Sequence, residues 1–174
     1  MERKQKFVLI AHNIRSIFNV GSLFRTADAV GIDKIYLTGY TPTPHQANPL
    51  TANRRGGLGA GQAPDRMAKT ALGAEKSVLW EYYFQARRLL KQLKAQKFFI
   101  VALEQSKKSI DYRKFEPKFP LALIIGSEIG GLSRQILKYC DTTIELPMRG
   151  KKESLNVAVA TGVALYKIIE SRTK

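Results

Sequence analysis

The sequence has little of what a disulfide-linked or membrane-spanning protein needs. Cys140 is the only cysteine, so no disulfide can form within the chain, and a reducing, cytoplasmic compartment is expected. The longest apolar runs, such as residues 121–125, are about five residues long, whereas a membrane span needs about 20. The N-terminal apolar run ends at Ala11 and is too short for a signal-peptide core. We therefore expect no membrane partner.

Several common ligand-binding motifs are also missing. The sequence contains neither the G-x-G-x-x-G pattern of dinucleotide sites nor the G-x-x-x-x-G-K-[ST] pattern of phosphate-binding loops. His12 and His45 are the only histidines, so with a single cysteine a zinc site is not expected. No nucleophile elbow is present either. His12 ends a predicted strand, which is more typical of a packed polar residue than of a catalyst.

Acidic residues are scarce relative to basic ones. The chain has 29 Lys and Arg against 14 Asp and Glu, a net charge of +15. Such an excess repels itself in a compact domain, and a polyanionic partner relieves that repulsion. Nucleic acid is the favoured partner; an anionic membrane surface is the second choice on charge alone and is not among the expected partners. The remaining alternative is a charged surface that serves only solubility.

Short apolar runs alternate with helical patterns along the chain. Runs of continuous apolar residues are typical of strands that are covered on both faces, and their alternation with helices indicates an α/β fold with a mainly parallel sheet. The length of 174 residues fits one domain, residues 1–174. Strands are predicted at residues 6–11, 35–38, 98–103, 121–125 and 142–146, and helices at 19–30, 65–72, 84–95, 132–139 and 155–170.

One long segment breaks this alternation. Proline and glycine crowd residues 41–64, which also contain Arg54 and Arg55. A loop of this length in a compact domain is usually functional or mobile, so a flexible basic loop is predicted. The cations of the helix at 84–95 form either a solvated face, which is slightly favoured, or an RNA-binding stripe.

Three segments carry polar residues in patterns suited to chemistry. The first is N-V-G-S-L-F-R-T-A from Asn19, the second I-G-S-E-I-G-G-L-S from Ile125, and the third L-P-M-R-G-K-K-E-S-L-N-V-A-V-A from Leu146. Each alone has an ordinary structural explanation: Asn19 as a helix N-cap with a surface arginine, Glu128 beside a helix N-terminus, and Ser154 as an N-cap.

Taken together and in this order, the three segments resemble the signature motifs of the SpoU (TrmH) family of the SPOUT superfamily. The resemblance runs from about residue 7 to residue 169. It implies an RNA ribose 2′-O-methyltransferase that uses S-adenosyl-L-methionine. It also implies a homodimer and a sheet with helices on both faces that ends in a C-terminal trefoil knot.

The resemblance also implies roles for individual residues. The catalytic positions that it assigns are Arg25, Asn19, Glu128, Ser154 and Asn156. The cofactor-binding positions are Leu103, Gly126, Leu146 and Leu155. Candidate RNA contacts, chosen for their charge, are Arg54, Arg55, Lys151 and Lys152. Many rRNA enzymes of the family carry an extra N-terminal RNA-binding domain, and this sequence shows none. A tRNA substrate is therefore favoured over rRNA.

Two other functions stay open at this point. One is an RNA-binding module that has kept the fold without catalysis, and the other is a SPOUT enzyme that methylates a base. The asparagine–arginine pair of the first segment favours the ribose.

The composition of the last predicted helix bears on whether the protein forms a dimer. Apolar residues occur nearly all round it from Leu155 to Ile169, so it needs cover on more than one face. A partner subunit would supply one face, with Val163 and Leu165 in the contact and a row of small residues allowing close approach (Ala158, Thr161, Gly162). The alternative is a helix buried within one subunit.

Overall fold

Seven strands form one parallel sheet in this computed structural model, which describes residues 5–44 and 63–172. The strands are β1 (Phe7–His12), β2 (Lys34–Thr38), β3 (Trp80–Tyr83), β4 (Phe99–Leu103), β5 (Ile110–Asp111), β6 (Leu121–Ile125) and β7 (Thr142–Glu145). Their order across the sheet is β3-β2-β1-β6-β4-β7-β5, and every neighbouring pair is parallel. The mainly parallel sheet predicted from the alternation is confirmed.

Helices cover both faces of this sheet. They are α1 (Ile17–Val30), α2 (Ala63–Ala71), α3 (Ala74–Ser77), α4 (Ala86–Ala95), α5 (Arg134–Leu137) and α6 (Val157–Ile169). Alternate residues of β1 enter two apolar clusters: Leu9 packs with α1, α2 and α6, whereas Ile10 packs with α4 and α5. Strands β4 and β6 are therefore apolar at every position, because helices cover both faces of the sheet there.

The predicted N-caps of two helices are wrong. The first helix begins at Ile17 rather than after Asn19, because the Ser16 side chain caps it by accepting the backbone N–H of Asn19 at 3.3 Å. The last helix is capped by Asn156, which accepts the N–H groups of Ala158 and Val159, and not by Ser154. Serine and asparagine are both good caps, so the sequence alone does not choose between neighbouring candidates.

Other boundaries differ for physical reasons. The helix predicted at 132–139 is a single turn, α5, because Ser133 caps it and the chain leaves the helix after Leu137. Strand β3 was missed because it lies at the edge of the sheet and all four of its residues are only partly buried. Residues 45–62 of the predicted loop, with Arg54 and Arg55, lie outside the described residues.

His12 is a packed polar residue, as its position suggested. The Asn13 amide donates to Nε2 of His12 at 3.1 Å, which leaves Nδ1 to donate to the Thr38 hydroxyl at 2.8 Å. Burial lowers the pKa of His12, so the neutral imidazole that this arrangement requires is favoured.

We expect the Cys140 thiol to react slowly in the folded protein. Burial, aided by the neighbouring Asp141 carboxylate, raises the pKa of Cys140 to about 12, and the thiolate is the reactive form. Titration with a disulfide reagent at about pH 8 should give slow release in native protein and one fast equivalent after unfolding. A fast native reaction would contradict the raised pKa of this half-buried thiol.

Candidate functional site

A cleft of about 570 Å³ lies where β4, β6 and β7 end and α6 begins. Ligands of open α/β sheets bind at this carboxyl edge. Most of the predicted site residues line the cleft, namely Leu103, Gly126, Glu128, Leu146, Ser154, Leu155 and Asn156. Lys151 and Lys152 are exposed in the segment that connects β7 to α6.

The turn that follows β6 forms one wall of the cleft and depends on two glycines. A Cβ on Gly126 would lie 2.4 Å from the carbonyl carbon of Gly131, which is too close for any side chain. Gly131 has a φ of +55°, and its N–H donates to the carbonyl of Ser127 at 2.9 Å. Gly126 is therefore needed so that the two backbone segments of this turn can pack against each other.

Glu104 fixes this turn to the end of β4, and the sequence reasoning missed it. Its Oε2 accepts the backbone N–H of Leu132 at 2.7 Å, and its Oε1 accepts that of Gln105 at 3.2 Å. A signal was available, because Glu104 directly follows the last residue of a predicted strand and therefore lies at the carboxyl edge.

Three side chains from distant segments are hydrogen-bonded in series beside the cleft. The Asn19 amide nitrogen donates to Glu128 Oε1, and the Asn156 amide nitrogen donates to Asn19 Oδ1 at 3.1 Å. Asn156 Oδ1 in turn accepts the N–H groups of Ala158 at 2.9 Å and Val159 at 3.3 Å. Asn19 thus links the turn after β6 to the first turn of α6, and all three predicted segments meet here.

The charge of the cleft is opposite to that of the chain. Glu104, Glu128 and Glu145 line it, and the described lining includes no lysine or arginine, although the chain carries +15. Such a lining favours a ligand with positive charge. Within residues 5–44 and 63–172 there is no group of three or more His, Cys, Asp or Glu side chains placed to hold a metal ion.

Arg25 does not share this cleft. It lies six residues beyond Asn19 on α1, which puts it about 9 Å further along the helix and about 120° round it. The idea that both residues face one site within a chain required the helix to start after Asn19, and α1 starts at Ile17. Arg25 is exposed, and in the part of the chain that is described its side chain makes no hydrogen bond or ion pair.

Arg25 lies instead near a shallow surface between α1 and α6, here called the α1–α6 face. Among the residues that line it are Ser22 and Thr26 of α1 and three residues of α6. Those three apolar side chains are Val159, Val163 and Tyr166, which are 54%, 37% and 55% exposed.

The predicted contact residues on the last helix divide between two sides. Leu165 and Thr161 are fully buried and Ala158 is 9% exposed, so they pack inside their own subunit. The prediction that Leu165 lies in a subunit contact is therefore wrong. A helix that is apolar all round has here one face on its own sheet and one face open.

No helix in the described ranges is long and apolar enough to cross a membrane.

A model of the SpoU rRNA methylase family matches residues 6–166. A Bacillus subtilis protein, YacO, assigned to the TrmH family of tRNA/rRNA methyltransferases, is 32% identical over 98% of this chain and 61% of its own length. The chain thus spans about three fifths of that relative.

Two further proteins are similar over nearly the whole chain. The tRNA (guanosine(18)-2′-O)-methyltransferase of Aquifex aeolicus is 32% identical over 99% of this chain and 73% of its own. The crystal structure of the SpoU methyltransferase AviRb of Streptomyces viridochromogenes with AdoMet superposes with a TM-score of 0.80. That superposition covers all of this chain and 60% of AviRb at 22% identity, and it shows a shared fold.

Proposed function

Because the chain belongs to the SpoU rRNA methylase family, we propose that it methylates a ribose 2′-hydroxyl of RNA with S-adenosyl-L-methionine as donor. The observation that carries the proposal is the series Glu128–Asn19–Asn156, which joins the three signature segments around one cleft. A tRNA is the favoured substrate over rRNA, in keeping with the tRNA methyltransferase of Aquifex aeolicus among its relatives. The cytoplasm is the expected location.

The cleft fits the methyl donor by its charge and by its apolar lining. S-Adenosylmethionine supplies a methyl group already activated on a positively charged sulfonium. Glu104, Glu128 and Glu145 offer negative charge, and no described cation opposes it. The turn at Gly126, which packs tightly on the backbone of Gly131, forms one wall of the cleft. Leu103, Leu146 and Leu155 supply apolar surface for the uncharged parts of the ligand.

The hydrogen-bonded asparagines serve to hold the cleft in shape. Asn156 fixes the start of α6 through two backbone N–H groups, and Asn19 fixes Asn156. Glu128 completes the series and keeps its carboxylate at the edge of the cleft. Ser154 precedes α6 in the segment that closes the same side. Positioning of this kind contributes to catalysis by aligning nucleophile and donor.

Arg25 is the proposed contact to the RNA at the reacting ribose. An arginine side chain stays protonated in proteins, so it is a poor proton acceptor. Its planar fork of donors suits a phosphate and a developing alkoxide instead. Since Arg25 lies by the α1–α6 face and not in its own cleft, we propose that the protein is a homodimer in which Arg25 serves the partner's cleft.

Nucleoside analysis tests the proposed reaction. RNA from cells with and without the protein is digested and compared by mass spectrometry, and purified protein is titrated calorimetrically with S-adenosylmethionine. A methylated ribose that depends on the protein supports the proposal. A methylated base points to the base methyltransferase, and RNA binding without donor binding points to the non-catalytic module.

RNA binding should weaken steeply as salt rises, because the net charge is +15. Each phosphate that a lysine or arginine neutralises adds about −0.7 to −0.9 to the slope of log affinity against log salt. Arg54, Arg55, Lys151 and Lys152 are the candidate contacts. Affinity measured at several salt concentrations gives the slope, and a flat line would contradict electrostatic binding.

A further inference from the structure

A second groove, of about 430 Å³, lies between β3 and α4, away from the cleft described above. Tyr83, Phe84 and Gln85 line one part of it, and Arg88 and Gln92 of α4 line another. The resemblance assigns it no role. Its residues combine aromatic rings, side-chain amides and a guanidinium, which are groups that stack on nucleobases and hydrogen-bond to their edges.

The aromatic residues of the groove differ in exposure. The ring of Tyr83 packs edge-on against Tyr36, with centroids 5.8 Å apart. Phe84, the residue after β3, is 61% exposed. Covering this apolar surface with a flat ring removes it from water and so stabilises the complex. Every nucleobase offers such a ring.

The surroundings of the groove are positively charged. Helix α4 contains no acidic residue, and its Arg87, Arg88 and Lys91 are exposed. Among the described residues that line the groove, Glu81 is the single carboxylate, and it forms an ion pair with Lys34 at 3.0 Å. The local field therefore attracts a polyanion.

The position of the groove suits a substrate that also enters the cleft. Phe84 follows β3 and Gly126 follows β6, so both lie at the carboxyl edge of the sheet. Three interstrand spacings separate these strands, about 14 Å. Helix α4 covers the sheet face opposite to α1 and α6, so a contact between subunits through the α1–α6 face would leave the groove open.

We propose that this groove binds a single-stranded segment of the RNA substrate, with a base stacked on Phe84 and Arg88 beside the backbone phosphate. The inference rests on the proposed function for the identity of the polyanion. It adds a recognition site on the same edge of the sheet, one that holds the RNA while a neighbouring ribose reaches the cleft.

The test measures binding of labelled ribo-oligonucleotides, oligo(A) and oligo(U) of about 12 nucleotides, by fluorescence anisotropy without a methyl donor. We expect Phe84→Leu to weaken binding by about tenfold, since one base–aromatic stack is lost. Phe84→Trp should restore it, because tryptophan keeps the stacking surface. Equal affinity of the leucine variant and the unchanged protein would overturn the proposal, as would a wild-type protein that binds neither oligonucleotide.

A charge-matched pair separates the groove from general electrostatics. Arg88→Ala removes a cation that lines the groove, whereas Lys138→Ala removes an exposed cation that follows α5 on the same sheet face. Arg88→Ala should weaken binding several-fold more than Lys138→Ala at the same salt concentration, and equal losses would overturn the proposal. Donor titration of the unchanged protein is independent of these variants. If the unchanged protein binds the donor and methylates RNA while the Phe84 and Arg88 variants keep its oligonucleotide affinity, the proposed function stands and the groove is refuted.

Discussion

Replacing Arg25 with alanine should lower the rate of methyl transfer by about 10²- to 10³-fold, the usual cost of losing one donor to a developing negative charge. The affinity for S-adenosylmethionine should stay unchanged, because Arg25 lies outside the acidic cleft that we propose for the donor. Single-turnover kinetics measure the first quantity and calorimetry the second.

A conservative variant separates the charge of Arg25 from the planar shape of its guanidinium group. Arg25→Lys keeps the charge but loses the planar fork, so it should recover RNA affinity more than rate. The residue is exposed and makes no hydrogen bond or ion pair within the described part of the chain, so neither variant is expected to destabilise the fold. A parallel loss of donor affinity would show that Arg25 has been assigned to the wrong site.

Replacing Val163 with glutamate should convert a dimer to monomers and abolish activity at the same time. Val163 lies at the centre of the apolar side chains of the α1–α6 face, between Val159 and Tyr166 on α6. A charge buried there without a partner costs on the order of 3 kcal/mol, about a 100-fold loss in dimer affinity. Light scattering should give about twice 19.5 kDa for the unchanged protein and that mass for the variant.

The glutamate variant of Val163 is informative, whereas the same change at Leu165 is not, because the two residues differ in exposure. Val163 is 37% exposed in the single chain, so a glutamate there is solvated in the monomer, whereas Leu165 is fully buried and a charge there would unfold the subunit. The Val163 variant should therefore remain a folded subunit that unfolds cooperatively on heating, as circular dichroism can show. A stable and fully active monomer would overturn both the dimer and the shared site.

The sequence predicted the strands of the sheet's centre well and its edges poorly, and the reason is burial. Strand β6 is buried at all five positions, so its continuous apolar run could be read directly. Strand β3 is half-buried throughout and carries Glu81 among aromatic residues, so it has no such pattern.

The candidate site, too, could be predicted from the sequence only in part. Segment order and motif residues were enough to place Glu128, Asn156 and Gly126 in one cleft, because residues that follow parallel strands meet at one edge. The direct bonds from Asn19 to both Glu128 and Asn156 depend on where α1 begins, and that start was predicted two residues late. Glu104 belongs to no motif and acts through backbone N–H groups, which a sequence does not display.

Helix α6 borders two regions at once. Its first residues, capped by Asn156, line the cleft, and its outward residues Val159 and Val163 form the α1–α6 face. A helix of 13 residues moves largely as one piece, so a ligand that shifts its first turn also shifts the surface offered to a second subunit. Thermodynamic linkage then requires reciprocity: by whatever factor the occupied cleft tightens the dimer, dimerisation tightens binding in the cleft.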